Sequence, residues 1–305
     1  MKKILILPIL LLSLFLLTSC EGEEGQVITG GAFVGGTQGI VASFEPLSVI
    51  DDESGLYTIY DNEDFPLEVL LKNKGEETIN EGDITLTLRG PYPGDFQNIP
   101  SWVLKNQETV EKISEFNPNG GEETVSFTPN NFAAYVGEVI GYNDLTWHLE
   151  YDYRYRTNLI INDVCFNGDI SDDSVCNVKE SKDFSISGAP ITITSAAEDS
   201  GGKGVVLLKV DVSNVGDGKS TFIGENYDKR FDQLSFSVDE PEKWECKSGG
   251  RIGQARLVEG RAQIICTLNE PLLEDEVYTR SVRLTLDYNY KEEIQEKLRI
   301  RESTQ

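Results

Sequence analysis

The chain has 305 residues, and 52 acidic against 27 basic side chains give it a formal net charge of −25. A surface this negative repels nucleic acids and anionic lipid headgroups, which excludes both as partners. The length is sufficient for two domains of ordinary size. The abundance of Gly, Tyr, Phe, Val, Ile and Thr favours strands over helices.

The first twenty residues have the pattern of an export signal. Lys2 and Lys3 precede an apolar run over residues 4–17, which ends in Leu17-Thr18-Ser19-Cys20. A basic start, an apolar segment and small residues before a break are typical of a secretory signal. Leu-Thr-Ser-Cys resembles the lipobox of bacterial-type lipoproteins. The resemblance implies that residues 1–20 form a signal peptide and that Cys20 becomes the lipidated N-terminus.

Two alternatives to the lipid anchor remain open. The apolar run could be retained as a membrane helix, although about 16 residues span only about 24 Å, less than the ~30 Å hydrocarbon core. The chain could also be secreted freely. All three alternatives place the remaining chain outside the cytoplasm. Residues 21–39 are rich in glycine and poor in bulky side chains, so we predict a flexible tether between the membrane and the folded part.

From Ile40 onward, apolar and polar residues alternate with a period of two. The clearest examples are 67–71, 84–88, 206–212 and 234–238, with Gly- and Asn-containing turn signals between them. This pattern indicates strands with one buried face. Many short strands without a convincing helix predict an all-β chain of immunoglobulin-like β-sandwiches.

The chain also repeats two landmarks in the same order. Val69–Gly75 and Val210–Gly216 each read as a strand that ends in Asn-x-Gly. Leu149–Arg156 and Leu284–Lys291 each contain a Tyr-x-Tyr strand. The spacing between the landmarks is similar in both halves. We therefore predict two copies of one domain.

The boundary between the copies is predicted at Ser187-Gly188-Ala189-Pro190, where glycine and proline interrupt the alternation. The predicted sandwiches cover 40–187 and 188–303, and the first contains about 30 extra residues. The first half is the more acidic. Residues 40–187 carry 28 acidic and 9 basic side chains, whereas 188–305 carry 21 and 16.

These landmarks resemble the cell-adhesion-related, CARDB-like immunoglobulin-fold modules. Such modules occur in uncharacterised archaeal and bacterial surface lipoproteins, which the runs Gly35-Gly-Thr-Gln-Gly-Ile40 and Tyr151–Phe166 also resemble. The resemblance implies a structural or adhesive role at the cell surface. It supplies no catalytic residues.

Four cysteines remain after Cys20, and each predicted domain holds two that are close in sequence. Four cysteines allow three pairings. Cys165–Cys176 and Cys246–Cys266 require no contact between domains, so we predict one disulfide in each sandwich, as suits an oxidising exterior. A shared four-thiolate zinc site would need closer pairs of cysteines.

The loop between Cys165 and Cys176 offers a weak calcium candidate. Asn167, Asp169, Ser171 and Asp173 place an oxygen at every second position, as calcium loops do. The glycine and the closing glutamate of such loops are missing, so a polar hairpin closed by the disulfide is the alternative. The acidic residues at 51–53 and 61–64 are a similar candidate. We predict no other cofactor.

The segment Gly90–Trp102 is a long loop with three prolines and the aromatic residues Tyr92, Phe96 and Trp102. Aromatic residues beside polar ones at the end of a sandwich can form a recognition surface. Alternatively, the loop folds back and caps the edge of the sandwich.

We find no catalytic constellation in the sequence. His148, the single histidine, falls on the polar face of its strand with Glu150 and Asp152, and no Gly-x-Ser-x-Gly motif accompanies it. The segment Ser213–Ser220 ends like a P-loop but lacks its first glycine, and a hairpin turn is expected there.

The sequence thus predicts a non-enzymatic, membrane-anchored surface protein with a structural or adhesive role. Its partner would be a protein or an envelope polymer. The alternative is a binding subunit for a carbohydrate or a divalent cation, which would use the 90–102 loop or the acidic first domain.

Overall fold

The computed structural model describes residues 31–171 and 173–303, so Cys20, the predicted signal and most of the predicted tether lie outside it. The described chain is almost entirely β-structure, with one 3-10 turn at Pro93–Asp95 and no α-helix among the described residues. The all-β prediction is confirmed. The same residues form no helix that is long and apolar enough to cross a membrane.

The strands are short apart from two, which each run for about 25 residues. In chain order they are β1 Ile40–Phe44, β2 Val49–Ile50, β3 Tyr57–Tyr60, β4 Asp64–Phe65, β5 Glu68–Asn73, β6 Ile84–Gly90, β7 Phe96–Gln97, β8 Val103–Lys105, β9 Glu122–Ser126, β10 Ala133–Tyr135, β11 Tyr142–Asn167, β12 Phe184–Ile186, β13 Ile191–Gly202, β14 Val205–Asn214, β15 Lys219–Thr221, β16 Asp232–Val238, β17 Trp244–Ser248, β18 Arg251–Ile252, β19 Gln254–Leu257, β20 Arg261–Leu268 and β21 Val277–Arg301.

These strands form four sheets. The large sheet has ten strands in the order β19-β16-β21-β11-β6-β8, with β2, β3, β12 and β15 attached at its sides. Two further sheets have the orders β1-β5-β9 and β13-β14-β20-β17-β18. The fourth, β4-β10-β7, has three very short strands.

The long strands β11 and β21 join the two predicted domains into one sheet. They pair antiparallel from Tyr142 opposite Arg301 to Asn167 opposite Val277, with one irregularity between Ile161 and Val164. Each strand therefore starts over one small sheet and ends over the other. The two halves of the sequence share the large sheet, a feature that a tandem arrangement of separate sandwiches does not have.

We define two lobes by the small sheets. Lobe 1 contains β1-β5-β9 and the part of the large sheet that faces it, including the first half of β11 and the second half of β21. Lobe 2 contains β13-β14-β20-β17-β18 and the other halves of these strands. In lobe 1 the Tyr153 hydroxyl contacts the Ile40 carbonyl at 3.5 Å. In lobe 2 the ring of Phe166 packs against Trp244 at 5.8 Å.

The strand order is the same when read from either copy. β6 lies beside β11 as β16 lies beside β21, and β5 lies between β1 and β9 as β14 lies between β13 and β20. The register has the same symmetry, because Tyr153 pairs with Tyr290 and Tyr155 pairs with Tyr288 around a central pair, Arg154 and Asn289. This arrangement is an internal two-fold relation between the copies.

The landmarks of the first copy are in contact. Asn73 Oδ1 accepts a hydrogen bond from the Gly75 N–H at 3.1 Å, which closes the turn after β5. The Tyr155 hydroxyl lies over this turn and accepts a hydrogen bond from the Glu77 N–H at 3.3 Å. A Cβ at residue 75 would lie 1.9 Å from that hydroxyl, so only glycine fits.

The second copy repeats these contacts. Asn214 Oδ1 accepts a hydrogen bond from the Gly216 N–H at 3.3 Å, and the Gly218 N–H donates to the Tyr290 hydroxyl at 3.0 Å. The Tyr290 hydroxyl also donates to Asn214 Oδ1 at 2.8 Å. The two sequence landmarks are thus the two sides of one tyrosine-capped turn. Tyr155 and Tyr290 are the chain neighbours of the central pair, Arg154 and Asn289, so both turns lie close to the centre of the shared ladder.

One carboxylate binds the N-terminal segment to the folded part. Glu76 is buried and accepts hydrogen bonds from the N–H groups of Val34, Gly35 and Gly188, at 2.9, 2.8 and 2.7 Å. Charge-assisted bonds of this kind are stronger than neutral ones. Part of the segment predicted as a free tether is therefore held against the predicted boundary between the copies.

Candidate functional site

The two predicted disulfides are both present. Cys165 is bonded to Cys176 and Cys246 to Cys266. Both lie in lobe 2, because the second half of β11 carries Cys165 across the centre of the molecule. Each disulfide joins two cysteines of the same predicted sequence copy, so the predicted pairing is confirmed, while the fold brings both disulfides into one lobe. Disulfides are typical of an oxidising, extracytoplasmic environment.

The candidate calcium ligands take part in local turns. Asn167 Oδ1 accepts the N–H of Asp169 at 2.9 Å, and Asp169 Oδ1 accepts the N–H and hydroxyl of Ser171 at 3.0 and 2.6 Å. The Ser171 hydrogen bonds lower the pKa of the Asp169 carboxyl. Asp173 is exposed. Over residues 31–171 and 173–303, no three acidic, His or Cys side chains are grouped as a metal site requires.

In the other acidic candidate, at residues 51–53 and 61–64, Asp51 is likewise engaged in local structure. Asp51 Oδ1 accepts hydrogen bonds from the N–H and hydroxyl of Ser54 at 2.9 and 2.8 Å and lies 3.3 Å from the Arg301 guanidinium. The hydrogen bonds from Ser54 lower the pKa of Asp51. These oxygens stabilise the turn after β2.

The aromatic loop is divided between core and surface. Phe96 is buried and packs on Trp147 at 4.9 Å, and Trp102 stacks on the same indole at 5.9 Å. Tyr92 is 71% exposed. The loop thus folds onto the end of lobe 1, as the capping alternative predicted, and of its three aromatic side chains only Tyr92 is exposed.

His148 lies on the outer, polar face of the large sheet, where the alternation placed it. Its Nδ1 is 3.0 Å from Glu293 Oε1, and both side chains are exposed to solvent. The segment Ser213–Ser220 contains the turn between β14 and β15, with Ser213 and Asn214 in β14 and Lys219 and Ser220 in β15. It does not begin a helix, so it lacks the structural context of a P-loop.

A cavity of about 480 Å³ lies at the far end of lobe 2. There the strands β11 and β21 carry Phe166 and Tyr278 on the face that points toward the small sheet. The residues after β16 and after β20 close the sides. We call this feature the distal cavity; its lining residues are Phe166, Glu240, Glu242, Lys243, Leu268, Glu270, Pro271, Leu272, Glu276, Tyr278 and Arg280.

The floor of the distal cavity is an aromatic stack. Phe166 and Tyr278 pair across the strands, with ring centroids 4.8 Å apart and planes within 6° of parallel. Phe166 is 4% exposed, whereas Tyr278 is 43% exposed. The buried phenyl ring supports the tyrosine from behind, so that Tyr278 is a fixed aromatic surface at the cavity.

The charged side chains around the stack are arranged by Glu240. The Arg280 guanidinium lies 2.7 Å from Glu240 Oε1, and the Lys243 ammonium lies 3.3 Å from the same oxygen. The hydrogen bond from Arg280 lowers the pKa of Glu240, and Glu240 in turn raises the pKa of Arg280. Donor groups are therefore held beside the aromatic floor.

The walls of the cavity are fixed by backbone hydrogen bonds. The Gly168 N–H donates to the Glu276 carbonyl at 2.9 Å, the Leu272 N–H to the Gly204 carbonyl at 2.8 Å, and the Asn269 N–H to the Lys243 carbonyl at 2.8 Å. A Cβ at residue 168 would lie 1.7 Å from the Leu273 carbonyl oxygen. Glycine is thus required where the wall meets β11.

Sequence reasoning did not identify the distal cavity. Tyr278, Arg280 and Val282 read as one face of an ordinary strand, and the alternation says only that they share a face. Whether a second layer covers that face depends on residues distant in sequence. The available signal was that Tyr278 and Arg280 occupy positions where the alternation predicts core residues. Polar side chains at such positions often mark the place where the contact between two sheets ends.

No family model matches the chain, and no curated protein matches it. Among solved structures, the secreted serine protease VesC from Vibrio cholerae aligns with a TM-score of 0.21 and 8% identity. The alignment covers 80% of this chain and 49% of that chain, so the chain spans about half the length of VesC. A similarity this low carries no argument about fold or activity.

Proposed function

We propose that the protein is a lipid-anchored, extracytoplasmic, non-enzymatic surface protein with a structural or adhesive role, built from two CARDB-like immunoglobulin-type copies. The observation that carries this proposal is the β11–β21 ladder. The ladder runs through both lobes, so a force that separates the lobes acts along paired strands and must break many hydrogen bonds together. A protein whose two lobes resist separation by a tensile force is suited to adhesion.

The position of the N-terminal segment supports the same role. Glu76 binds Val34 and Gly35 together with Gly188, so the chain that leads from the membrane joins the body near the centre of the ladder. A pull on the anchor therefore reaches the shared sheet through charge-assisted hydrogen bonds. Both lobes remain available to partners on either side of this attachment.

The anchor is tested by metabolic labelling of producing cells with an alkyne fatty acid. We expect label on the wild-type chain and none on Cys20→Ser, which should be lost from the membrane fraction. The double variant Cys165→Ser with Cys176→Ser is the control, since it removes the two cysteines of a disulfide elsewhere in the chain and should keep the label. A Cys20→Ser chain that remains in the membrane would favour the retained-helix alternative.

The adhesive role is tested by cross-linking on intact cells that produce the chain, followed by identification of the conjugates. We expect conjugates with an envelope protein or polymer, and we expect them to disappear when the chain is released from the membrane. Cross-linking that recovers the chain only as a free monomer would contradict the adhesive role.

A further inference from the structure

The distal cavity combines an aromatic surface with convergent polar groups, which is the composition of a ligand site. Tyr278 is held flat by Phe166, and Phe166 is held by Trp244 at 5.8 Å behind it. A planar, immobile aromatic ring of this kind suits a ligand that is itself ring-shaped and apolar on one face. Little ordering cost accompanies binding to such a preformed surface.

The groups around the ring supply both donors and acceptors. Arg280 and Lys243 can donate only, whereas the carboxylates of Glu242, Glu270 and Glu276 can accept only. A set of this kind matches a ligand whose neighbouring hydroxyls each donate and accept. A saccharide ring has this character at its edge and a C–H surface on its face, which fits against tyrosine.

The charge of the cavity narrows the class of saccharide. Four carboxylates line it, against one lysine and one arginine, and Glu240 already engages both cations. Uronic acids and phosphorylated sugars would meet repulsion from the remaining carboxylates. Neutral or amino-bearing sugars would not.

The corresponding end of lobe 1 shows that such a surface can be covered. There Trp147 carries the packed rings of Phe65, Phe96 and Trp102, and the small sheet β4-β10-β7 closes over the end. Lobe 2 has no counterpart to that sheet among the described residues, and its aromatic end remains open. The open end has room for a ligand where lobe 1 has its own side chains.

We propose that the distal cavity binds a neutral or amino-bearing saccharide ring stacked on Tyr278, with Arg280 and the cavity carboxylates bonding to its hydroxyls. This rests on the proposed adhesive function and names an envelope glycan as its partner. Saccharide binding by purified protein and anchoring in cells are separate measurements, so either can fail without the other.

The test is isothermal titration of the full chain, purified in detergent, with chitotriose, cellotriose, mannotriose, a glucosamine trimer and trigalacturonate. A broad array of neutral and amino glycans accompanies it. We expect saturable binding of at least one neutral or amino-bearing glycan and none of trigalacturonate. Tyr278→Ala should weaken binding at least tenfold, while Tyr278→Phe should retain it.

Tyr142→Ala is the matched control, because Tyr142 is 62% exposed at the opposite end of the shared ladder. It should leave the affinity unchanged, and unchanged far-UV circular dichroism should show that each variant is folded. Absence of binding to every glycan of the array would overturn the proposal. So would binding that Tyr278→Ala does not alter, or a Tyr278-dependent preference for oligolysine over all glycans.

Discussion

Lobe 1 closes its end of the large sheet with the small sheet β4-β10-β7, whereas lobe 2 leaves its end open as the distal cavity. Lobe 2, in turn, holds both disulfides, while lobe 1 has none among the described residues. One lobe is thus stabilised by additional aromatic packing and the other by covalent cross-links. The difference shows that the same arrangement of strands can be stabilised by burial of hydrophobic side chains or by disulfides that restrict the unfolded chain.

The aromatic closure of lobe 1 is tested by Trp147→Ala. Trp147 is fully buried and lies within 6.0 Å of the rings of Phe65, Phe96 and Trp102. Loss of the indole removes buried surface and leaves a cavity, so we expect a loss of about 3–5 kcal/mol in the free energy of unfolding. Urea unfolding monitored by circular dichroism measures it.

Val282→Ala is the control for this variant, because Val282 has the equivalent ladder position in lobe 2. Trp147 pairs with Glu296 as Val282 pairs with Ile161. The smaller side chain should cost about 2 kcal/mol. Equal losses for the two variants would show that the aromatic cluster adds nothing to lobe 1.

The covalent closure of lobe 2 is tested by Cys246→Ser with Cys266→Ser. These cysteines face each other on β17 and β20, and removal of a disulfide typically costs about 3 kcal/mol. We expect faster hydrogen exchange at the amides of β20 and unchanged exchange at those of β9, which has the equivalent place in lobe 1. An equal increase in both strands would mean that the shared ladder makes the two lobes one cooperative unit.

The outcome for the tyrosine turns shows what the sequence could predict. Alternation placed Trp147 inside and His148 outside, and the repeated Asn-x-Gly and Tyr-x-Tyr motifs predicted two copies. Local patterns determine these features, since each concerns one strand or one turn. The contact of Tyr155 with Gly75 joins the Tyr-x-Tyr motif to the Asn-x-Gly motif. This contact explains why the two motifs occur together in each copy.

The shared sheet and the cavity could not be predicted in the same way. Pairing of Tyr153 with Tyr290 joins residues far apart in the chain, and alternation on each strand is compatible with pairing inside one copy or between copies. The location of Cys165 in lobe 2 follows from that pairing alone. The cavity around Tyr278 is open because no further sheet covers it among residues 31–171 and 173–303, and no residue on β21 indicates this.

The smallest expected effect concerns a buried ion pair of lobe 2. Lys182 and Glu198 are both buried with 2.8 Å between Nζ and Oε2, and Glu198 also accepts the Cys165 N–H at 2.9 Å. Lys182 bonds in addition to Glu180 at 2.6 Å. Within the described ranges, no ion pair of lobe 1 is buried on both sides. Burial raises the pKa of Glu198 to about 7, despite the nearby ammonium and N–H groups.

A raised pKa in the folded state makes stability decrease as the pH rises. Between about pH 4.5 and pH 7 the unfolded carboxyl is ionised while the folded one retains its proton, so the folded state binds more protons in this range. The contribution of Glu198 is complete below about pH 4.5 and is lost as the pH rises through about 7. We expect the melting temperature of the wild-type chain to fall by a few degrees from pH 5 to pH 8.

Glu198→Gln should reduce this dependence, because the amide does not titrate. Other carboxylates of a chain with a net charge of −25 also repel one another as they ionise, so the comparison needs a variant with the same change in charge. Glu180→Gln provides it, since Glu180 is an exposed partner of the same lysine and should keep the wild-type slope. Identical slopes of melting temperature against pH for the two variants would assign the pH dependence to repulsion between surface carboxylates. The pair Lys182 and Glu198 would then only support the strand that carries Cys165.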